Sequence, residues 1–137
     1  MMQNQATHAA LAQSRQVLVV DDNVTSAETL ALLIGLSGHV THVAHSGPAA
    51  LEAIEAHHPD VILLDIGLPG MDGFEVARRL RRVEANRTTL LVAVTGYGQD
   101  DDRRRSTEAG FDHHLVKPLD LEKLEMILRP ECQAVPA

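Results

Sequence analysis

The chain has 137 residues, which is enough for one ordinary domain with a real core and too few for two. Apolar residues make up 45% of the sequence and charged residues 23%, as in a soluble globular protein. A net charge of −7 with only two lysines argues against direct nucleic-acid binding, because phosphate contacts draw on clustered lysine and arginine. Aromatic residues are scarce, which disfavours a stacking platform for bases or a flavin.

No apolar run approaches the length needed to cross a bilayer, and the amino terminus lacks a basic region followed by an apolar core. We therefore predict no membrane insertion. The single cysteine, Cys132, cannot form an internal disulfide, which agrees with a reducing compartment. Together these features predict a cytoplasmic protein.

Residues 1–15 are polar and rich in alanine without a clear period, and we interpret them as a flexible leader. Residues 16–20 form a short apolar run that predicts the first strand, which ends in Asp21 and Asp22. The following apolar residues recur at helical spacing, which predicts a helix closed by Gly35 and Gly38: Ala27, Leu30, Ala31 and Ile34.

The second strand is predicted at residues 39–44, and Gly47 and Pro48 open a second helix whose Leu51 and Ile54 face inward. Pro59 ends that helix. Residues 61–65 then read V-I-L-L-D, four apolar residues running into a carboxylate. A continuous apolar run suits a parallel strand that is covered on both faces, so we predict a buried third strand that ends in Asp65.

A third helix follows Gly73, with Val76, Leu80 and Val83 on its inner side and four arginines on its outer side, Arg78, Arg79, Arg81 and Arg82. Residues 89–95 predict a buried fourth strand that ends in Thr95. Three aspartates at 100–102 then precede three arginines at 103–105, an order typical of a solvated helix with ion pairs along its surface. Gly110 ends this helix.

Residues 112–116 predict a fifth strand that leads into Lys117 and Pro118, and Leu121, Leu124 and Leu128 mark a last helix. Five strands alternating with five helices predict an α/β fold, a parallel sheet with helices on both faces. We place this single domain at residues 16–129 and a short tail at residues 130–137.

Polar residues follow four of the five predicted strands: Asp21 and Asp22, Asp65, Thr95, and Lys117. Parallel strands bring their carboxyl ends to one edge of the sheet, where such folds place their sites. Three neighbouring carboxylates repel one another unless a cation joins them, and ligation by oxygen alone fits Mg²⁺ or Mn²⁺ better than zinc. A metal and a lysine beside one carboxylate favour phosphoryl transfer, with Asp65 as the acceptor.

Four short motifs occur together: D-D after the first strand, D-x-x-L-P-x-M-D-G after the third, T-G after the fourth and K-P after the fifth. In combination they resemble the response-regulator receiver domain of the chemotaxis-regulator type, over residues 16 to about 129. The resemblance implies a flavodoxin-like, doubly wound (βα)5 fold with strand order 2-1-3-4-5.

The resemblance also implies roles for single residues. Asp65 would accept a phosphoryl group from the phosphohistidine of a histidine kinase or histidine phosphotransferase. Asp22, Asp65 and the backbone carbonyl of Gly67 would ligate Mg²⁺ directly, and Asp21 would act through water. The phosphoryl oxygens would be held by a second set, with a cis bond before Pro118 positioning the lysine: Thr95, the amide of Gly96, and Lys117.

The sequence departs from the family where the switch is expected. The family usually has an aromatic residue three positions before the lysine, and it moves inward with the threonine. Here that position holds His114. Two interpretations stay open: His114 rotates and acts as the switch together with Thr95, or it is an ordinary strand residue without a switch role. Gly67 and Tyr97 occupy the two loop positions that tune loss of the phosphoryl group in this family.

No effector domain follows, so the resemblance implies output by binding a downstream protein in trans, or a receiver piece of a hybrid kinase. The segments T-G-Y-G-Q and E-A-G-F-D-H-H-L-V-K-P resemble receivers attached to hybrid kinases. Partners are expected on the first helix, at Val24 and Ala27, and on the loop after Lys117. The face of helices 4 and 5 is a possible homodimer surface.

Two other functions share part of the pattern. A Mg²⁺-dependent phosphatase or phosphotransferase working through an aspartyl phosphate would use the same acids, but the chain lacks extra loops to enclose a substrate, and its acceptor follows the third strand instead of the first. A flavin-binding carrier is disfavoured by acids where a phosphate-binding loop is needed. The eight histidines do not cluster in the pattern, which disfavours a histidine metal site.

Overall fold

The structure is a computed structural model that describes residues 14–96 and 100–129. Most of the predicted leader, the tail from residue 130, Cys132 and Tyr97 lie outside these residues. Five strands alternate with five helices, as predicted. The strands are β1 Gln16–Val20, β2 Val40–Ala44, β3 Val61–Asp65, β4 Leu90–Thr95 and β5 His113–Val116. The helices are α1 Val24–Leu36, α2 Gly47–His57, α3 Gly73–Arg82, α4 Asp100–Ala109 and α5 Leu121–Leu128, with a 3₁₀ turn at Glu84–Asn86.

All strand pairs are parallel, and the sheet order is β2-β1-β3-β4-β5. The predicted fold class and strand order are therefore confirmed. The central strands β1, β3 and β4 are almost completely buried, which agrees with their continuous apolar runs. The edge strand β2 is only partly buried: Val40 is exposed, the next three residues are half-buried and Ala44 is buried.

The sheet separates two apolar layers. One layer packs the side chains of α2, α3 and the end of α4 against alternate residues of the central strands, including Leu18, Ile62 and Leu64. The other packs α1 and α5 against the opposite residues of the same strands, including Val17, Val19 and Leu63. Because successive strand residues point to opposite faces, a strand buried on both sides has no polar position to spare. In β1, β3 and β4 the polar residues are thereby confined to the strand ends.

Short polar side chains start four of the helices. Asn23, Ser46, Asp72 and Asp120 each accept a hydrogen bond from a backbone N–H in the first turn of α1, α2, α3 and α5, respectively. Each cap satisfies an N–H that has no partner within its helix, which contributes about 1 kcal/mol. Each cap fixes the residue at which its helix begins, and hence the length of the loop between the preceding strand and that helix.

Two predictions for α3 were wrong. Val83 was expected on the inner side, but the helix ends at Arg82 and Val83 is half exposed. Arg81 was expected among the solvated arginines, but its guanidinium lies against the end of the helix. It donates to the carbonyls of Gly110, Asn86 and Thr89 and to the carboxylate of Asp112. Arg81 thus joins α3 to the starts of β4 and β5.

Candidate metal and phosphoryl-acceptor site

Three carboxylates meet at the carboxyl edge of the sheet. Asp21 and Asp22 follow β1, and Asp65 is the last residue of the neighbouring β3, so the register of these strands places them side by side. One carboxylate oxygen from each lies within 4.8 Å of the other two. Asp21 is buried, Asp65 is half-buried and Asp22 is exposed. The predicted gathering of acids is present in the structure.

Asp21 is held from several directions. Its amide donates to the carbonyl of Ala44 at 3.1 Å, which continues the pairing of β1 with β2 by one residue. One carboxylate oxygen accepts from the amide of Asn23 at 2.9 Å, and the other accepts from Nζ of Lys117 at 3.0 Å. A buried carboxylate needs such partners, because an unpaired charge away from water is costly.

Asp65 is anchored by the loop that follows it. The amide of Gly67 donates to Oδ1 of Asp65 at 2.8 Å, and Nζ of Lys117 lies 3.6 Å from Oδ2. The same loop returns tightly to α3: a Cβ placed on Gly73 would lie 2.5 Å from Cα of Ile66. Only glycine fits there without moving the backbone beside Asp65. The motif in the sequence includes Gly73, but nothing in the local pattern indicates this contact.

Thr95, Gly96 and Lys117 lie at the carboxyl ends of the next two strands. Thr95 is the last residue of β4 and is buried, and its carbonyl accepts from the amide of Lys117 at 2.8 Å. Gly96 is exposed, with open space where a Cβ would stand. The peptide bond between Lys117 and Pro118 is cis, as predicted. Thr95 and Lys117 are thus joined to each other at the edge that carries the acids.

The electrostatics of the site oppose a charge on Asp65. Burial raises the pKa of Asp65, and the Asp21 and Asp22 carboxylates raise it further, while the Gly67 amide and Lys117 lower it. The net pKa is above the ordinary value. Burial lowers the pKa of Lys117, but its contacts with Asp21 and Asp65 outweigh burial and leave that pKa raised. One ammonium contacts two of the three carboxylates, so the cluster has an excess of negative charge.

The donor set fits a hard divalent ion. It consists of carboxylate oxygens, which Mg²⁺ and Mn²⁺ prefer. Two oxygens on opposite sides of Mg²⁺ are about 4.2 Å apart, twice the usual bond length. The three carboxylate oxygens lie within 4.8 Å of one another, close to this distance, so the trio can gather around one ion.

An apolar groove of about 680 Å³ adjoins the site between α1 and the segment after Lys117. Its walls come from α1, its floor from the sheet, and its far side from the start of α5, including Leu30, Leu33, Val19, Leu63, Leu119 and Leu121. The predicted docking residue Val24 is exposed on α1. The other, Ala27, is completely buried and cannot contact a partner, so that part of the prediction was wrong.

The histidines in the described part of the chain do not converge on a metal. His39 accepts from the amide of Arg15, and His42 stacks on His57 with ring centres 3.8 Å apart. Among the described residues, no group of three metal-ligating side chains contains a histidine. His114 is half-buried on β5. Sequence reasoning missed His45, whose Nδ1 lies 3.0 Å from the backbone carbonyl oxygen of Asp21.

The fold and the acidic site together define the class of this protein. Residues 17–129 match the family model described as response regulator receiver domain. The chain belongs to this family, and the predicted resemblance is confirmed. In the described part of the chain, no helix combines the length and apolarity that crossing a bilayer requires.

Individual relatives agree with this assignment. The polar-differentiation response regulator DivK of Brucella ovis is 34% identical over 110 residues, which cover 80% of this chain and 89% of that protein. The crystallised chemotaxis protein CheY4 of Vibrio cholerae superposes with a TM-score of 0.79 at 26% identity, covering 84% of this chain and 96% of that one. The receiver domain of a sensor histidine kinase from Pseudomonas aeruginosa superposes with a TM-score of 0.76 at 28% identity, covering 84% and 94%. That structure has a magnesium ion coordinated in its active-site cleft.

Proposed function

We propose that this receiver domain accepts a phosphoryl group on Asp65, with Mg²⁺ or Mn²⁺ bound by the neighbouring acids, and that the modification switches its binding to a partner. The donor would be the phosphohistidine of a histidine kinase or histidine phosphotransferase. The observation that carries the proposal is the convergence of Asp21, Asp22 and Asp65 within 4.8 Å beside Lys117. The magnesium ion in the related Pseudomonas aeruginosa receiver supports it.

The transfer is a displacement at phosphorus. An oxygen of the Asp65 carboxylate forms a new bond to phosphorus as the bond from phosphorus to the donor imidazole nitrogen breaks, and the imidazole leaves with the electron pair. Asp65 is suited to attack because the Gly67 amide holds Oδ1 and leaves Oδ2 on the side of Lys117. The backbone loop, and not the side chain alone, therefore sets the direction of the acceptor oxygen.

We assign the remaining roles as follows. Asp22, Asp65 and the carbonyl of Gly67 would hold the ion directly and Asp21 through water, which agrees with the exposed position of Asp22 and the buried one of Asp21. The ion would neutralise charge on the phosphoryl oxygens. Lys117 would exchange its contact with Asp65 for a phosphoryl oxygen, helped by Thr95 and the amide of Gly96. The raised pKa of Lys117 keeps it cationic.

The surfaces around the site suggest where partners bind. The donor would approach over the exposed part of α1 at Val24 and the apolar groove beside Lys117, because the groove opens directly onto Asp65. Output would be through a protein bound in trans, and the face of α4 and α5 would serve as a homodimer surface. We assign the switch to Thr95 with His114. If His114→Ala leaves partner binding equally dependent on phosphorylation, His114 has no such role.

Intact mass spectrometry tests the proposal. Wild type and Asp65→Asn are incubated with a small acyl phosphate, with Mg²⁺ or with EDTA. We expect a gain of one phosphoryl group in wild type with Mg²⁺ only. The same samples are assayed with a chromogenic phosphate ester, because a phosphatase would turn it over repeatedly and a receiver is labelled once. Labelling of Asp65→Asn, or sustained turnover of the ester, contradicts the proposal.

A further inference from the structure

His45 contacts the metal site through the main chain. It follows β2 directly, and its Nδ1 lies 3.0 Å from the carbonyl oxygen of Asp21. A carbonyl oxygen only accepts hydrogen bonds, so Nδ1 must carry the hydrogen. This contact is made by a side chain that is neither an acid nor a predicted ligand. Its significance for the ion rests on the proposed function above.

The contact continues a ladder that the backbone can no longer extend. Val20 of β1 pairs with Ala44 of β2, and the Asp21 amide still donates to the Ala44 carbonyl at 3.1 Å. Beyond Ala44 the chain turns into α2, whose first turn is capped by Ser46. The ring of His45 supplies the donor for the Asp21 carbonyl at this point. The amide and the carbonyl of Asp21 are therefore both hydrogen-bonded, the first to Ala44 and the second to His45.

The carbonyl that His45 holds belongs to the peptide unit joining Asp21 to Asp22. A peptide unit is planar, so fixing its oxygen fixes the plane and hence the direction in which the chain enters Asp22. The Asp21 carboxylate is already fixed by Asn23 and Lys117. Asp22 is exposed, and its orientation depends more on the main chain that carries it.

We propose that His45 is a positioning residue for the divalent ion: by holding the Asp21 carbonyl, it orients the pair of acids and raises the affinity of the site. Loss of this one hydrogen bond should weaken ion binding about fivefold, which corresponds to about 1 kcal/mol, the usual net contribution of one hydrogen bond. The protein should still fold, since His45 is only partly buried.

The test compares two variants that differ in the donor. His45→Leu removes the N–H donor and replaces the ring by an apolar side chain of similar size. His45→Asn restores an N–H at nearly the position of Nδ1. His42→Leu is the matched control, because His42 lies three residues earlier and contacts Gln16 and His57 instead of the acids. The affinity for Mn²⁺ is measured by the electron paramagnetic resonance signal of the unbound ion, and that for Mg²⁺ by competition.

We expect dissociation constants about fivefold higher for His45→Leu and within about twofold of wild type for His45→Asn and His42→Leu. Equal affinity of His45→Leu and wild type overturns the proposal, and so does an Asn variant as weak as the Leu variant. Thermal unfolding in EDTA checks folding, and His45→Ala replaces the Leu variant if that one does not fold. Failure of wild type to bind Mn²⁺ would instead refute the proposed function.

Discussion

Replacing Asp65 by asparagine should stabilise the metal-free protein at neutral pH, although it removes the acceptor. Asparagine has nearly the same shape, and its Oδ1 can still accept from the amide of Gly67. What it lacks is the charge. In the structure that charge stands beside two other carboxylates in a half-buried position, and burial together with those neighbours raises the pKa of Asp65.

The expected size follows from the distances. At an effective dielectric constant of about 20, carboxylates within 4.8 Å of Asp65 each repel it by at least about 3.5 kcal/mol, and Lys117 at 3.6 Å attracts it by about 4.6 kcal/mol. Two repulsions exceed one attraction by about 2 kcal/mol, before burial is counted. Solvent screening of the exposed Asp22 and Lys117 reduces this difference. We therefore expect Asp65→Asn to gain about 1–2 kcal/mol, or roughly 4–8 °C in Tm.

The gain should depend on pH in one direction. The pKa of Asp65 is raised in the folded state above its ordinary 3.8, so wild type is at no disadvantage below the unfolded pKa, where the group is protonated in both states. The disadvantage develops as pH rises through the folded pKa. The difference between variant and wild type should thus be largest near neutral pH and shrink towards zero as pH approaches 3.8.

Thermal unfolding followed by circular dichroism in EDTA measures this difference. Mg²⁺ at ten times its dissociation constant should stabilise wild type by about 1.4 kcal/mol and stabilise the variant less, because the variant has lost a ligand. The exposed change Glu52→Gln is the control for removing one negative charge from the surface, and it should shift Tm little. A metal-free Asp65→Asn protein that is less stable than wild type at neutral pH, or a gain that persists in acid, refutes the reasoning.

Three further predictions concern the scaffold and the lysine. Arg81→Met should lower the free energy of unfolding in urea by about 2–3 kcal/mol, because several buried carbonyls lose their donor. The control Arg78→Met changes an exposed side chain and should lower it by less than about 0.5 kcal/mol. Equal losses would contradict the role of the Arg81 hydrogen bonds. Gly73→Ala should lower Tm and weaken Mg²⁺ binding, because the new Cβ would lie 2.5 Å from Cα of Ile66. Gly96→Ala is the control: its Cβ would enter open space, so Tm should stay nearly unchanged. Lys117→Met should bind Mg²⁺ more tightly in calorimetry, because the ammonium that competes for the acids is gone. It should nevertheless gain the phosphoryl group more slowly than wild type. Weaker Mg²⁺ binding would contradict the assigned charge balance.

The order of elements and the site could be predicted because they depend on local pattern. Residues 17–20, 61–64 and 90–94, which precede Asp21, Asp65 and Thr95, are apolar at every position, which indicates strands covered on both faces, and parallel strands bring their ends together. Residues far apart in the sequence then meet because each follows a strand. The periodicity of α1, with Ala27 and Ile34 buried, identified that helix equally well.

The errors arose where long-range contacts decide. Arg81 has the same helical spacing as its neighbours, and only the position of Asp112 and the carbonyls around it makes it a link between α3 and the starts of β4 and β5. Val83 fits the inner spacing, but the helix ends one residue earlier. His45 lies in a loop without a motif, and its contact depends on β1 and β2 being adjacent in the sheet. No local pattern contains that information.

The central claim is that the bound ion prepares Asp65 for modification. The most direct test measures the rate of phosphoryl incorporation from a small acyl phosphate at increasing Mg²⁺, alongside an independent measurement of the Mg²⁺ dissociation constant. We predict that the Mg²⁺ concentration for half-maximal rate equals that constant in wild type, and that both rise together in Asp22→Asn. Labelling at full rate in EDTA, or a rate in Asp22→Asn that no longer follows its ion affinity, would contradict the account.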